Sequence, residues 1–231
     1  MADDSGRRAV KPMRLTPGDF DVVRFVGRHR FATAAQVARA MGRSEKKIYP
    51  RLLGLRSAGL VAFERPLIAP GVYLATRQGL GAVGLALPPA TVELATFIHD
   101  RTVTDVAAGF EADDGEVISE REMRSWDENP DNRDSDVTYA VGLPSGGRHY
   151  PDLLVGVASG QWQAIEVELT RKPRQRRERI LTGYAGARHI DRVVYLVDGQ
   201  PIGELVRRTA EALGIADLVT VRPLNHKEAA A

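Results

Sequence analysis

The sequence predicts a mixed α/β protein with two units, and three observations lead to this prediction. The chain has 231 residues, enough for one large domain or two small ones, and its 43% apolar and 27% charged residues suit a globular protein with a buried core. Helical periodicity and short β-rich segments alternate along the chain. The pair Pro88-Pro89 marks a boundary, so we expect one unit over residues 14–87 and a second over residues 91–222.

The composition excludes several classes of function. The chain contains no cysteine, which excludes disulfide frameworks, thiolate metal sites and cysteine nucleophiles. No stretch approaches the roughly 20 apolar residues of a membrane helix, and the polar start MADDSGRRAVK lacks the apolar core of a secretion signal. We therefore expect a cytoplasmic protein without a membrane partner. Motifs for nucleotide, zinc-protease and serine-hydrolase sites are missing, and no small-molecule cofactor is evident.

The net charge of +2 conceals a strong segregation of charge along the chain. Residues 1–90 contain 15 Lys and Arg against 6 Asp and Glu, whereas residues 91–150 contain 5 against 14. Residues 151–231 are nearly balanced, with 12 against 10. A basic first third indicates a polyanionic partner, and we expect this partner to be double-stranded DNA.

The first unit follows the element order of a winged helix-turn-helix, which is three short helices and then a hairpin. Residues suited to cap helices stand at Thr16, Thr33 and Ser44, and β-rich segments follow over residues 60–64 and 72–75. The run LLGLRSAGLV resembles the end of the recognition helix and the first wing strand of many bacterial winged-helix proteins. The later run VYLATRQG resembles the second wing strand and the helix entry after it.

The third helix and the edges of the wing carry the candidate DNA contacts. A recognition helix normally enters the major groove with its N-terminal residues near base edges, while wing cations contact phosphates. The candidates are Lys46, Lys47, Tyr49 and Arg51 on the helix, and Arg65 and Arg77 beside the wing. Pro50 is expected to kink or shorten this helix. The alternative interpretation is a winged helix that contacts proteins and whose charges are merely solvated.

Three carboxylates are expected to converge in the second unit. Asp152 begins one apolar strand, and Glu166 and Glu168 lie on one face of the next strand because side chains alternate along a strand. Pairing of the two strands as a hairpin would bring Asp152 near both glutamates. Converging carboxylates repel one another unless a proton or a cation lies among them, and hard oxygen ligands suit Mg²⁺ or Mn²⁺.

The second unit resembles the PD-(D/E)xK nuclease core. The resemblance rests on Pro151-Asp152, then Glu166-Val167-Glu168, a helix with Arg176, Arg179 and Tyr184, and the strand Val193-Val194-Tyr195-Leu196. A winged helix ahead of such a module is similar to the replication-relaxation family of bacterial plasmids, phages and integrative elements. The resemblance covers roughly residues 14–200, and it implies a restriction-endonuclease-like αβββαβ core.

The resemblance also implies that Asp152 and Glu166 are metal ligands, with Mg²⁺ as the cofactor. The lysine that the superfamily places two residues after the glutamate is Glu168 in this chain, so standard catalysis is not expected. Either Glu168 would serve as the base, as in restriction enzymes with an E-x-E pattern, or Lys172 would fold back toward the site. These four residues are the catalytic candidates.

The basic run RKPRQRRER, residues 171–179, has six cationic residues in nine. Pro173 is expected to begin a helix there, whose free N–H groups favour anions. Arg174, Arg176 and Arg179 are candidates for contact with a phosphate backbone. The alternatives are a solvated helix face and neutralisation by the acidic middle of the chain.

Three functions are compatible with the sequence. The first is a DNA-binding protein of a bacterial mobile element that acts in replication, relaxation or its control without cleaving DNA. The second is a Mg²⁺-dependent DNA endonuclease or nickase that uses Asp152, Glu166 and Glu168. The third is a winged-helix transcriptional regulator whose second unit senses a signal or forms a homodimer.

Overall fold

The computed structural model describes residues 14–66, 70–157 and 160–224, so the polar start of the chain lies outside the described residues. The described chain is a mixed α/β protein with eight α-helices and nine strands in three sheets. The helices are α1 (Pro17–Arg28), α2 (Ala34–Ala40), α3 (Glu45–Ser57), α4 (Arg77–Ala82), α5 (Phe97–Ala112), α6 (Glu120–Glu128), α7 (Arg174–Gly186) and α8 (Gln200–Ala212). The strands are β1 (Val61–Glu64), β2 (Val72–Ala75), β3 (Glu116–Ser119), β4 (Val141–Gly142), β5 (Arg148–His149), β6 (Leu153–Gly156), β7 (Trp162–Glu168), β8 (Arg192–Val197) and β9 (Val219–Pro223). Within the described ranges, no helix has both the length and the apolar character needed to cross a bilayer.

Helices α1, α2 and α3 pack together with the antiparallel hairpin of β1 and β2. The Asp19 carboxylate accepts a 2.7 Å hydrogen bond from the Thr16 N–H at the start of α1. Thr33 and Gln36 cap α2 reciprocally, through bonds of 2.8 and 3.2 Å between side chains and backbone. One buried cluster joins the helices to the hairpin, and its largest members are Phe25, Ile48, Leu52, Leu55, Leu60 and Tyr73.

Helix α3 runs through Pro50, so the expected shortening of this helix does not occur. A proline at this position leaves the carbonyl of Lys46 without its amide partner. Lys46 and Pro50 are both exposed, and water can satisfy that carbonyl on the outer side of the helix. On the inner side, Ile48, Leu52 and Leu55 are buried and hold the helix against the core. Tertiary packing therefore maintains a helix that local preference would interrupt.

A five-stranded sheet with the order β3-β6-β7-β8-β9 forms the centre of the second unit. The strands β3, β6 and β7 pair antiparallel, whereas β7, β8 and β9 pair parallel. Parallel neighbours need a crossover connection, and α7 and α8 supply the two crossovers. The sheet is therefore mixed, with its antiparallel part first in the chain.

Two segments of the second unit differ from the sequence prediction in detail. The sequence leaves both a strand and a helix open for residues 116–123, and the structure contains both, β3 and then α6, which Ser119 caps. After the strand that begins at Val193, the sequence predicts only a helix over residues 202–213, and it misses β9. Strand β9 lies at the edge of the sheet, is partly exposed along its length and ends at Pro223, so it lacks the buried apolar pattern that identifies β8.

The two units share a hydrophobic contact. The Phe31 ring, just before α2, stacks on the Phe97 ring at the start of α5, with centroids 5.1 Å apart. Both rings belong to one buried cluster with Val72 and Leu74 of β2. The start of α5 is therefore packed directly against the hairpin of the first unit.

Ion pairs also connect the units. Arg28, at the end of α1, lies 2.8 Å from Glu122 and 3.3 Å from Glu111. Arg30 lies 4.0 Å from Asp100 and 3.8 Å from Glu120. In these pairs, acidic residues from the middle of the chain neutralise cations at the end of α1, whereas the sequence left open that they neutralise the basic run.

Candidate functional site

The hairpin of β6 and β7 brings together the three predicted carboxylates, Asp152, Glu166 and Glu168, which we call the carboxylate cluster. The two strands pair antiparallel, so Asp152, just before β6, lies opposite the end of β7. Its Oδ2 atom accepts a 2.7 Å hydrogen bond from the N–H of Val167, the residue between the two glutamates. Both glutamates are buried. The cluster therefore lies at one end of the central strands.

Glu166 is the most enclosed member of the cluster, with 2% of its surface exposed. Its Oε1 atom lies 2.6 Å from His149 Nε2 and accepts a hydrogen bond from the Tyr184 hydroxyl. Burial alone would raise the pKa of Glu166, but the nearby charges of His149 and Lys172 outweigh burial and lower this pKa. Burial alone would lower the pKa of His149, but the charge of Glu166 and its hydrogen bond outweigh burial and raise the pKa of His149. Glu166 therefore favours the protonated form of His149, and His149 favours the ionised form of Glu166.

Lys172 reaches the cluster and contacts Glu168. Its Nζ atom donates a hydrogen bond to Glu168 Oε2 across four residues of chain. Burial raises the pKa of Glu168, with the charges of Glu166 and Asp152 adding to it, while Lys172 acts in the opposite direction. Burial alone would lower the pKa of Lys172, but the two glutamates outweigh it and raise this pKa. The ammonium group is therefore charged at neutral pH.

Helix α5 supplies a third cationic group, His99. Its Nε2 atom lies 3.4 Å from Asp152 Oδ2 and 3.2 Å from the Val167 carbonyl, and its Nδ1 atom lies 3.8 Å from Asp100. The Asp100 and Asp152 carboxylates raise the pKa of His99 to about 10. Burial, assisted by the charge of Glu166, raises the pKa of Asp152 although His99 opposes this shift.

Each carboxylate of the cluster thus has a cationic side chain of the protein beside it. The three pairs are Asp152 with His99, Glu166 with His149, and Glu168 with Lys172. Each of these basic groups opposes the negative charge that its carboxylate carries when ionised. The pairs therefore neutralise the cluster from within the chain.

The geometry of the cluster does not fit the Mg²⁺ that the resemblance implies. Over residues 14–66, 70–157 and 160–224, no group of three or more His, Asp or Glu side chains is arranged to hold a metal ion. His149, Tyr184 and Lys172 already occupy one oxygen of each glutamate. A metal ion bound to these oxygens would have to displace the partners that the chain supplies.

The candidate DNA contacts on α3 divide into two groups. Lys46, Lys47 and Tyr49 are exposed. Arg51 instead donates a 2.8 Å hydrogen bond from Nε to Asp19 Oδ1 and a second bond to Oδ2. Burial alone would raise the pKa of Asp19, but its bonds to Arg51 outweigh burial and lower it. Arg51 therefore fastens α3 to α1.

The remaining candidate cations lie on the surface. Arg65, Arg77, Arg174, Arg176 and Arg179 are all exposed. The Arg65 guanidinium lies 5.9 Å from the centre of the Phe63 ring. Arg174 donates a 2.7 Å hydrogen bond to Glu178 on the same helix. An exposed pair of this kind contributes little to stability, so it does not prevent Arg174 from contacting a phosphate.

Sequence reasoning gave the two histidine partners of the cluster too little weight. The sequence leaves open that His99 enters the same cleft and that His149 acts as an acid beside Asp152, but it favours a polar residue at a helix end for His99 and a solvated loop residue for His149. His149 instead lies on β5, whose hairpin with β4 turns through Gly146 and Gly147, with φ of 81° and 90°. The glycine pair is a turn signal, but strands of two residues are too short to be recognised by alternation.

The raised pKa of His99 predicts a pH dependence of stability. A histidine whose pKa is higher in the folded state stabilises the protein fully below its ordinary pKa of 6.5, and this stabilisation is lost as the pH rises through about 10. The His99 side chain is 37% exposed, so solvent screening reduces the effect to about 1 kcal/mol. Urea unfolding at several pH values across this interval should show a steeper fall for the wild type than for His99→Gln. Equal slopes would contradict the pairing of His99 with Asp152.

Comparisons with known proteins give no family for this chain. No protein-family model matches it, and no curated protein matches it. Among solved structures, a chain described as "PigF with SAH" aligns at 12% sequence identity with a TM-score of 0.23. The alignment covers 90% of this chain and 57% of the matched chain, so this chain spans little more than half the length of the matched chain. A similarity this weak supports no argument about fold or function.

Proposed function

We propose that this chain binds double-stranded DNA through its first unit, acting as a winged helix, and that its second unit is a nuclease-like fold that does not cleave DNA. The proposed setting is a bacterial mobile element, with a role in replication, relaxation or its control. This setting rests on the resemblance to the replication-relaxation family.

The observation that carries the DNA-binding proposal is the charge around α3. Residues 39–56 contain six Lys and Arg against one acidic residue. Lys46 and Lys47 are exposed near the start of the helix, where a recognition helix approaches base edges. Arg51 ties the same helix to α1 through the buried Asp19, so the lysines are presented from a fixed position.

The order of elements supports the nuclease-like part of the proposal. Helix α5, strands β3, β6 and β7, helix α7 and strand β8 follow one another as αβββαβ, with α6 and the β4–β5 hairpin inserted. The first three strands pair antiparallel and the fourth pairs parallel to the third. Asp152 precedes the second of these strands and Glu166 belongs to the third, which supports the nuclease-like part of the proposal.

The internal neutralisation of the carboxylate cluster supports the absence of cleavage. The carboxylates already pair with Lys172 and His149 and would have to exchange these partners for a metal ion. Glu168 also stands where the resemblance implies the lysine of the superfamily. A non-cleaving role therefore agrees with the geometry better than metal-assisted hydrolysis.

A second candidate function is a Mg²⁺-dependent DNA endonuclease or nickase. One observation favours it, namely that Asp152, Glu166, Glu168 and Lys172 all meet at one end of the sheet. Groups brought together in this way are what a hydrolytic site would need, once a metal displaced the internal cations.

Nicking of supercoiled plasmid separates the two candidates. We expect no nicking by the wild-type protein with Mg²⁺, Mn²⁺ or EDTA, at protein concentrations that are high enough for it to bind the plasmid. Asp152→Asn and Glu166→Gln should then bind DNA as the wild type does. Metal-dependent nicking that disappears in both variants would overturn the non-cleaving proposal and establish the endonuclease.

The charge around α3 predicts the effect of removing two lysines. The double variant Lys46→Ala/Lys47→Ala is expected to bind duplex DNA more weakly and to reduce the slope of log affinity against log salt by roughly 2, because each lysine charge held close to the duplex neutralises about one phosphate. The matched control is Arg207→Ala/Arg208→Ala on α8, which removes the same charge from an exposed face. Binding isotherms at several salt concentrations measure both slopes. An equal loss in the two variants would contradict a DNA-binding role for α3.

A further inference from the structure

A cleft with a volume of about 470 Å³ lies between α3, the β1–β2 hairpin and the start of α2. Its volume falls within the range of roughly 300–1,000 Å³ that is usual for ligand sites. Tyr49, Phe63 and Tyr73 line it, and we call it the aromatic cleft. The function proposed for α3 uses the exposed lysines and leaves this cleft unexplained.

The hairpin fixes two of the aromatic rings. Phe63 and Tyr73 are directly opposite each other across β1 and β2, with ring centroids 5.0 Å apart at an angle of 53°. A Cβ atom at Gly71 would lie 2.2 Å from the Phe63 ring, so only glycine lets that ring lie against the backbone just before β2. Tyr73 is buried, whereas Tyr49 on α3 is 52% exposed. Tyr49 is therefore the ring that a ligand can reach from solvent.

Arginines accompany the rings of the cleft. Arg65 lines the cleft, and its guanidinium lies 5.9 Å from the centre of the Phe63 ring. Arg101 of α5 also lines the cleft. An aromatic platform beside guanidinium groups is the composition with which proteins hold single-stranded nucleic acid, because every base has a face that stacks and a phosphate that attracts cations.

We propose that the aromatic cleft accepts an unstacked base of single-stranded DNA, with Tyr49 stacking on the base and Arg65 and Arg101 near the adjacent phosphates. A base inside a duplex is stacked on both faces and cannot enter the cleft. The inference rests on the proposed function, because it concerns the same DNA-binding unit, and it extends the ligand from duplex DNA to DNA with an unpaired segment.

Glu45 adds a preference among bases. It is the first residue of α3 and lines the same cleft. An ionised carboxylate only accepts hydrogen bonds, so it favours the bases with an exocyclic amino group, cytosine, adenine and guanine, over thymine, whose single donor is its ring N3–H. The cleft should therefore bind oligo-dC and oligo-dA more tightly than oligo-dT.

Fluorescence anisotropy with the full chain tests this inference. The probes are labelled oligo-dC, oligo-dA and oligo-dT and a labelled duplex, all at one salt concentration. We expect Tyr49→Ala to weaken binding of the single strands about tenfold, as expected for the loss of one stacked base, and to change duplex affinity less. Tyr49→Phe keeps the ring and should retain the wild-type affinity, whereas Tyr49→Leu should not. Glu45→Gln should abolish the preference over oligo-dT, because an amide both donates and accepts.

The possible results distinguish failure of this inference from failure of the proposed function. Duplex binding that depends on Lys46 and Lys47, without binding of single strands at the same salt, would overturn the inference and leave the proposed function intact. Absence of binding to duplex and single strands alike would overturn the proposed function. Equal single-strand affinity for Tyr49→Ala and Tyr49→Phe would show that the ring does not stack on a base and would also overturn the inference.

Discussion

Replacing Lys172 by methionine is expected to lower the free energy of unfolding by about 3 kcal/mol, because the change leaves a buried carboxylate without its partner. Glu168 is 5% exposed and its Oε2 atom accepts the hydrogen bond of the Lys172 ammonium. Burial, Glu166 and Asp152 all raise the pKa of Glu168, so the lysine is the group that favours its ionised form. Without Lys172, either a proton binds to Glu168 or a charge stays buried and unpaired, and both destabilise the fold.

Urea unfolding followed by tryptophan fluorescence measures this effect. The matched control is Arg171→Met, which removes an exposed cation from the adjacent position and should change stability by less than about 0.5 kcal/mol. A double variant, Lys172→Met/Glu168→Gln, removes both charges and should recover part of the lost stability, since an uncharged amide is cheaper to bury than a lone carboxylate. Equal stability of Lys172→Met and Arg171→Met would show that the pair is not buried in solution.

The carboxylate cluster shows how much of a site local reasoning can predict. Side-chain alternation places Glu166 and Glu168 on one face, and hairpin pairing places Asp152 opposite them. Lys172 follows Glu168 by four residues, which is close enough for its side chain to fold back toward the cluster. The sequence offers this as one of two alternatives, the other being that Glu168 serves as the base. These four residues belong to one hairpin and the turn after it, and short sequence separation made their proximity predictable.

The cations that complete the cluster come from elements far away in sequence. His99 belongs to α5, 53 positions before Asp152, and its position depends on how that helix packs across the sheet. His149 depends on a hairpin with strands of two residues. Tyr184 depends on the crossover helix α7. No periodicity along the chain encodes these three tertiary contacts.

The charge pattern has a second physical cause that the sequence does not reveal. The basic first third suggests a polyanionic partner, yet Arg28 and Arg30 pair with acidic residues of α5 and α6. Part of the segregation therefore reflects the interface between the two units. Lys46 and Lys47 lie outside these ion pairs, on the exposed face of α3, which is why the DNA-binding proposal rests on them and not on net charge.

Replacing Phe97 by alanine is expected to lower the free energy of unfolding by about 3–5 kcal/mol, the usual cost of removing a buried phenyl ring. Phe97 is 1% exposed and stacks on Phe31. It shares a buried cluster with Val72 and Leu74 of the hairpin, so the cavity would open between the two units and not inside either of them. The hairpin would lose part of its support along with α5, and we expect both units to become less stable together.

Two probes show whether the units unfold together. Trp126 and Trp162 both lie in the second unit, so their fluorescence reports on that unit, while amide hydrogen exchange over residues 14–87 reports on the first. In Phe97→Ala, both signals should change at the same urea concentration, which is lower than in the wild type.

Ile98→Ala is the matched control, because Ile98 is the next residue and is 54% exposed. Exchange protection that persists in residues 14–87 after the tryptophan signal is lost would mean that Phe97 packs against a first unit that is stable without it. The proline boundary would then separate two independent domains, and the position of the hairpin relative to α3 would not depend on the second unit.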